Sequence, residues 1–217
     1  MRQRNAAIFL LLLFVVAIIV FTGLIKGGYF EHDISDYIET QKENDNRGSI
    51  ENTRHAIFIL IDSKKGVSNS TINRIYGKEF NGKFSDRRMR ADVDVTYNAV
   101  VALDYVELMP KFSTETVKWL KSCQNDDGGF GRDAGLESNM MSTYHAIKSL
   151  YMPGSKPEDI RGAIKWIQDR QNSNGGFGFS NDDKDSLMMN TYYAASSLDL
   201  MNEKPKNTTA GKQYIVF

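Results

Sequence analysis

The stretch DVDVTYNA, residues 92–99, sets two carboxylates two positions apart just ahead of a threonine and a tyrosine. A carboxylic acid kept protonated by a neighbouring carboxylate and apolar surroundings can give up a proton. On a helix, residues two apart point about 200° away from each other. Asp92 and Asp94 therefore do not share a face, and they serve equally as first-turn acids meeting the positive end of the helix dipole. Directly upstream lies RRMR, residues 87–90. Its three guanidinium groups, Arg87, Arg88 and Arg90, suit an anion near a helix N-terminus, or pair with Asp86, Asp92 and Asp94. No phosphate loop, nucleophile elbow or metalloprotease helix is present.

The elements that carry these residues are written as a repeat. CQNDDGGFG at 123–131 returns 47 residues later as RQNSNGGFG at 170–178, and Trp119, Gln124 and Phe130 recur as Trp166, Gln171 and Phe177. STYHAIKSL then follows one loop and NTYYAASSL the other. A worn copy upstream keeps EFNGKFSDR and VTYNAVVAL, and an earlier one is YIETQKENDNRGSIENTRHAIFIL at 37–60. Threonines fall at 53, 96, 143 and 191, a spacing of 43 to 48 that marks stacked supersecondary units. At the places of Asp92 and Asp94 the next copies carry Asn139 and Met141, then Leu187 and Met189, so the acids are peculiar to their copy.

Each copy reads as two helices. In the last, Pro157, Glu158 and Asp159 suit a first turn, and Ile160, Ala163, Ile164 and Ile167 give one apolar face over 157–171. Gly175 and Gly176 stop it, and a second helix covers 185–200. No segment shows strand alternation, so the chain is expected to be all-α. The glycine loop turns each hairpin, and its phenylalanine plugs the gap between neighbours.

The chain has 217 residues, with 27 basic side chains against 27 acidic ones. This balance leaves no global basic field to gather nucleic acid. Ala6 to Ile25 is an uncharged run of twenty residues, and a helix of that length reaches about 30 Å, the thickness of a hydrocarbon core. Arg2 and Arg4 precede it and Lys26 follows. This bias predicts a single-pass anchor with a cytoplasmic N-terminus and the rest of the chain extracytoplasmic. The expected divisions are an anchor at 1–30, a repeat domain at 31–205 and a tail at 206–217. With one cysteine, Cys123, no disulfide forms within the chain.

KWLKSCQNDDGGFG and KWIQDRQNSNGGFG, each followed by T-Y-x-A-x3-L, resemble the prenyltransferase and squalene-oxidase repeat across residues 33–205. That repeat builds the β-subunits of protein prenyltransferases and the domains of class II terpene cyclases. The resemblance implies a partial α/α toroid of about four hairpins, preceded by one N-terminal transmembrane helix. The helices of Trp119 and Trp166 would be outer. Those of Tyr97, Tyr144 and Tyr192 would be inner, lining an apolar cavity with Met141 and Met189. With fewer hairpins than a full ring, the ring is open, completed by a second chain, or cut short. The transferases' zinc ligands correspond here to Asp127 and His145, with Gly129 where a cysteine would stand. Zinc takes three protein ligands in such sites, so an incomplete site is expected, with no firm cofactor. The cyclases' D-x-D-D-T-A matches Asp92, Asp94 and Thr96, with Val95 replacing the third acid. In those relatives the middle acid protonates an alkene. Arg87, Arg88 and Arg90 would hold a diphosphate, and Tyr97, Met141, Tyr144, Met189 and Tyr192 the isoprenoid tail. The implied function is membrane-anchored binding or processing of a prenyl diphosphate or polyprenyl chain. A non-catalytic extracytoplasmic scaffold and a truncated cyclase-like protein are the alternatives, and whether the chain is an enzyme stays open.

Overall fold

A computed structural model describes residues 49–86, 91–181 and 183–215. The chain divides into two units, and everything below concerns the unit Ser49–Phe217. The expected membrane helix, the first part of the earliest repeat, and Arg87, Arg88 and Arg90 lie outside the described residues. Among the described residues no helix is long and apolar enough to cross a membrane.

Eight helices account for most of the described chain: α1 (Ile50–Asp62), α2 (Asn69–Tyr76), α3 (Val93–Asp104), α4 (Ser113–Ser122), α5 (Met140–Tyr151), α6 (Ile160–Gln168), α7 (Met188–Leu200) and α8 (Thr208–Ile215). The helices α1, α3, α5 and α7 pack side by side in that order as an inner layer. The outer helices α4 and α6 pack onto α5 and α7. One apolar cluster, with Ile57, Ile75, Phe84 and Leu103, fills the first junctions. Another, with Trp119, Phe130, Ile147, Trp166 and Phe177, fills the later ones. The three loop phenylalanines are buried, as their expected role as plugs requires.

The repeated loop works as a stitch between layers and between repeats. Each loop phenylalanine donates its backbone N–H to the threonine hydroxyl of its own inner helix: Phe84 to Thr96 at 3.3 Å, Phe130 to Thr143 at 3.0 Å and Phe177 to Thr191 at 3.1 Å. The glutamine at the head of the loop reaches the next repeat. Gln124 Nε2 donates to the Gly128 and Asp159 carbonyls, and its Oε1 accepts the Asp159 N–H. Gln171 does the same with Gly175 and Asn207. In the earlier copy Glu79 takes this place, accepting the N–H groups of Lys111 and Phe112 at the start of α4. That helix has no side-chain cap of its own.

Three boundaries differ from the sequence reading. Helix α6 begins at Ile160 because Asp159 is its N-cap, accepting the Gly162 N–H, and Pro157 lies before it. Helix α7 begins at Met188. Residues 208–215, expected as tail, form a helix whose start is held by Gln171 just as Gln124 holds α6. It takes the place of another outer helix. The expectation of no strands also fails once. Glu79–Phe80 (β1) and Lys83–Phe84 (β2) pair antiparallel. Asn81 and Gly82 between them have φ of 47° and 75°, the paired positive angles of a tight hairpin turn.

Candidate functional site

Because the inner helices share one register, residues following the repeat threonines line up across them. The first row is Arg54, Tyr97, Tyr144 and Tyr192, and the second is His55, Asn98, His145 and Tyr193. Their rings form one continuous surface. Tyr144 lies 5.7 Å from both Tyr97 and Tyr192 and stacks on Tyr193 at 5.0 Å. His145 stacks on Tyr97 with centroids 4.0 Å apart and planes 10° apart, and Tyr193 meets it edge-on. Arg54 sits 6.0 Å over the Tyr97 ring and donates to Asn98 Oδ1. Burial pushes the phenols of Tyr97, Tyr144 and Tyr193 above their ordinary range, so their hydroxyls stay protonated.

Beside this surface, Asp94 on α3 and His145 on α5 form a buried pair, with Nδ1 and Oδ1 2.9 Å apart. The Ser142 hydroxyl donates to the same oxygen at 3.3 Å. Arg132, in the loop before α5, lies 3.4 Å from Asp94 Oδ2 and 2.8 Å from Asp92 Oδ2. The two acids thus meet at one guanidinium, whereas helical geometry had turned them apart. The reason is that Asp92 is not helical: it is the N-cap of α3 (φ −141°, ψ 164°), accepting the Val95 N–H at 2.7 Å. Burial pushes its carboxyl upward, against the opposing pull of Val95 and Arg132.

Asp127 and His145, paired by resemblance as metal ligands, are engaged separately. Asp127 Oδ1 accepts from the Gly129 N–H and the Ser138 hydroxyl, and Oδ2 accepts the Trp166 indole N–H at 2.8 Å. Asn174 repeats the first two bonds in the next loop, which marks them as turn architecture. Among the described residues no group of three or more His, Cys, Asp or Glu side chains is placed to hold a metal ion. Cys123 is buried against the Trp119 carbonyl. Of the expected tail-binding residues, Tyr144 is buried and Met141 half-buried, whereas Met189 and Tyr192 are 58% and 54% exposed on α7.

Sequence reasoning missed Arg54, Asn98, Arg132 and Tyr193. Three of them stand one or two places after a repeat threonine, so the two rows that contain Tyr144 and His145 would have found them. Arg132 has no counterpart in the other copies, and only the fold brings it to Asp92 and Asp94.

The sequence matches the family model described as the prenyltransferase alpha-alpha toroid domain over residues 25–217. Among solved structures, the chain is similar to Candida albicans protein geranylgeranyltransferase-I complexed with GGPP. It has 21% identity and a TM-score of 0.63 to that structure, covering 72% of this chain and 50% of that one. The chain therefore spans about half the length of that protein, and the likeness is one of fold. No curated protein sequence matches.

Proposed function

This chain belongs to the prenyltransferase alpha-alpha toroid family, and from that premise we infer that its inner-helix face binds an isoprenoid chain. The observation that supports this most is the unbroken ring surface of Tyr97, Tyr144, Tyr192, Tyr193 and His145. Flat aromatic faces offer a flexible polyene dispersion contact and no competing hydrogen bond in the plane of the ring. Half-buried Met141 and exposed Met189 extend the surface with adaptable thioethers. A prenyl diphosphate head would meet Arg87, Arg88 and Arg90; a polyprenyl chain would need only the wall. Residues 6–25 would hold the chain in the membrane, which is where such lipids reside. A second chain would cover the open apolar edge of α7.

The alternative cyclase-like reading assigns Asp94 as a proton donor. Its surroundings speak against that role, because the Ser142 hydroxyl donates to its Oδ1 and the Arg132 guanidinium lies beside its Oδ2 as an ion-pair partner. The zinc-transferase reading requires Asp127, whose two oxygens already accept three hydrogen bonds. A non-catalytic binding module is therefore the reading we adopt. Titration of the full chain in detergent micelles with a fluorescent prenyl analogue should give saturable binding that Tyr192→Ala, at the exposed end of the wall, weakens about tenfold or more. Absence of saturable binding would overturn the proposal in favour of a scaffold. Stoichiometric metal lost on His145→Ala would restore the transferase.

A further inference from the structure

We propose that the apolar rim formed by Phe80, Leu108, Met109 and Phe112 rests in the interfacial layer of a bilayer, as a membrane contact additional to the uncharged run at 6–25. The inference needs that run to hold the chain in a membrane, as proposed above, and does not need isoprenoid binding. The four side chains are 77%, 39%, 39% and 44% exposed. Hydrogen bonds gather them. The Glu79 carboxylate accepts the N–H groups of Lys111 at 3.0 Å and Phe112 at 2.9 Å, and the Tyr76 hydroxyl donates to the Met109 carbonyl at 2.9 Å. The β1–β2 hairpin and the loop before α4 are thereby tied into one surface.

The two later junctions are polar at all four of these positions. Glu79 stands where Gln124 and Gln171 do, so Phe80 takes the place of Asn125 and Asn172. The prolines ahead of the outer helices, Pro110, Pro157 and Pro205, set the rest in register. Leu108, Met109 and Phe112 correspond to Ser155, Lys156 and Asp159, then to Glu203, Lys204 and Asn207. Asn125 and Asn172 donate to loop carbonyls, and Asp159 and Asn207 cap their helices, as Ser68 caps α2. Phe112 gives α4 no cap, a loss for the fold that a phenylalanine facing water does not offset. An apolar medium outside the rim accounts for the exchange. Lipid suits it, because backbone groups of the loop are satisfied from within: the Leu108 N–H by the Leu103 carbonyl, and the Lys111, Phe112 and Met109 groups as above. Lys111 sets its ammonium 4.6 Å from the centre of the Tyr76 ring, and its long stem can carry that charge to headgroups. Ser49 comes 24 residues after Ile25. Even fully extended, at about 3.4 Å per residue, that chain keeps the start of the domain within about 80 Å of the membrane. So short a tether makes a weak apolar contact sufficient.

The test places an indole on the rim of the full chain in phosphatidylcholine nanodiscs, with plain or brominated acyl chains. Trp119 and Trp166 are buried, and their emission in the parent is subtracted. Brominated lipid should quench the added emission of Phe80→Trp about twofold or more, and aqueous iodide should leave it bright. Lys156→Trp, at the place of Met109 in the next junction, should show the reverse. Phe80→Trp that responds like Lys156→Trp, with the chain still on the nanodisc, overturns the proposal alone. Shielding from both quenchers shows a protein or a second copy on the rim, and also overturns it. A chain that does not stay with nanodiscs overturns the anchor and this contact together, whereas isoprenoid binding is read separately in micelles. Phe112→Asn, combined with Met109→Trp as the probe, gives a second readout. Asparagine supplies the missing cap, so the unfolding midpoint in detergent should rise while lipid quenching falls. A midpoint that drops, or quenching that persists, shows that Phe112 serves the fold and counts against the proposal.

Discussion

Gln124 satisfies three backbone groups with one side chain, two carbonyls and one N–H, and two of those groups belong to the next repeat. Gln124→Ala should therefore lower the free energy of unfolding by about 1–3 kcal/mol, and Gln171→Ala by a similar amount. Gln124→Glu should not rescue it, because a carboxylate would face the Gly128 and Asp159 carbonyls. Urea denaturation of the three variants decides the point, and equal stability of Gln124→Glu and the parent would refute the donor role. Cys123 offers a pH test. Burial pushes its thiol from the ordinary 9.0 up to about 12. A folded-state value above the unfolded one gives a contribution that is complete below pH 9.0 and is lost as pH rises toward 12. The unfolding midpoint should thus fall more steeply above pH 9.0 in the parent than in Cys123→Ala. The tyrosines, also raised, contribute equally to both curves. The folded thiol should resist alkylation at neutral pH and react once the chain is unfolded.

The hairpin loop is the element on which the stacking depends, and its first glycine is the critical position. Gly128 and Gly175 have φ of 91° and 89°, and an added Cβ would stand 2.3 Å from Gly162 and 2.1 Å from Ala210, both on the next outer helix. Here the backbone of one repeat touches the first turn of the next. Gly128→Ala and Gly175→Ala should each cost more than about 2 kcal/mol, through φ strain and the forced separation of the helices. Gly66→Ala, where an added Cβ meets nothing within 4 Å, should fall within about 0.5 kcal/mol of the parent. Thermal unfolding of the three variants compares them directly. A neutral Gly128→Ala would mean that the repeats are not in this contact.

At the scale of the whole chain, two features bear on where and how it works. The last inner helix leaves Leu187, Met188, Met189 and Tyr192 between 49% and 58% exposed. Of their counterparts in the preceding repeat, Met140 and Tyr144 are buried against α7, and Asn139 and Met141 are half-buried. The same residue types are thus a covered interface in one repeat and an open edge in the next. The second feature is the uncharged run at 6–25 with two arginines before it and one lysine after. A reporter fused behind Phe217 should behave as extracytoplasmic in intact cells. Cytoplasmic behaviour would overturn the proposed orientation.

The repeat period, the helical hairpins and the buried loop phenylalanines were legible in the sequence, because they depend on local apolar spacing and on glycine, which act over a few residues and recur from copy to copy. The inner and outer layers were implied only by the resemblance to the repeat family. The Asn81-Gly82 dipeptide selects a tight hairpin, but the two-residue strands it joins are too short to show any alternation. The reach of Gln124 to Asp159, 35 residues on, was not legible, because nothing near the glutamine names its partner. The candidate site divides in the same way. Tyr97, Tyr144, Tyr192 and His145 were singled out through the resemblance to the repeat family. The joining of Asp94 to His145, 51 residues apart, and the bridging of Asp92 and Asp94 by Arg132 were decided by tertiary structure. Periodicity assigns a residue to a face, but which atoms meet across that face depends on the offset between neighbouring inner helices. That offset is set by the packing of the loops and outer helices behind them.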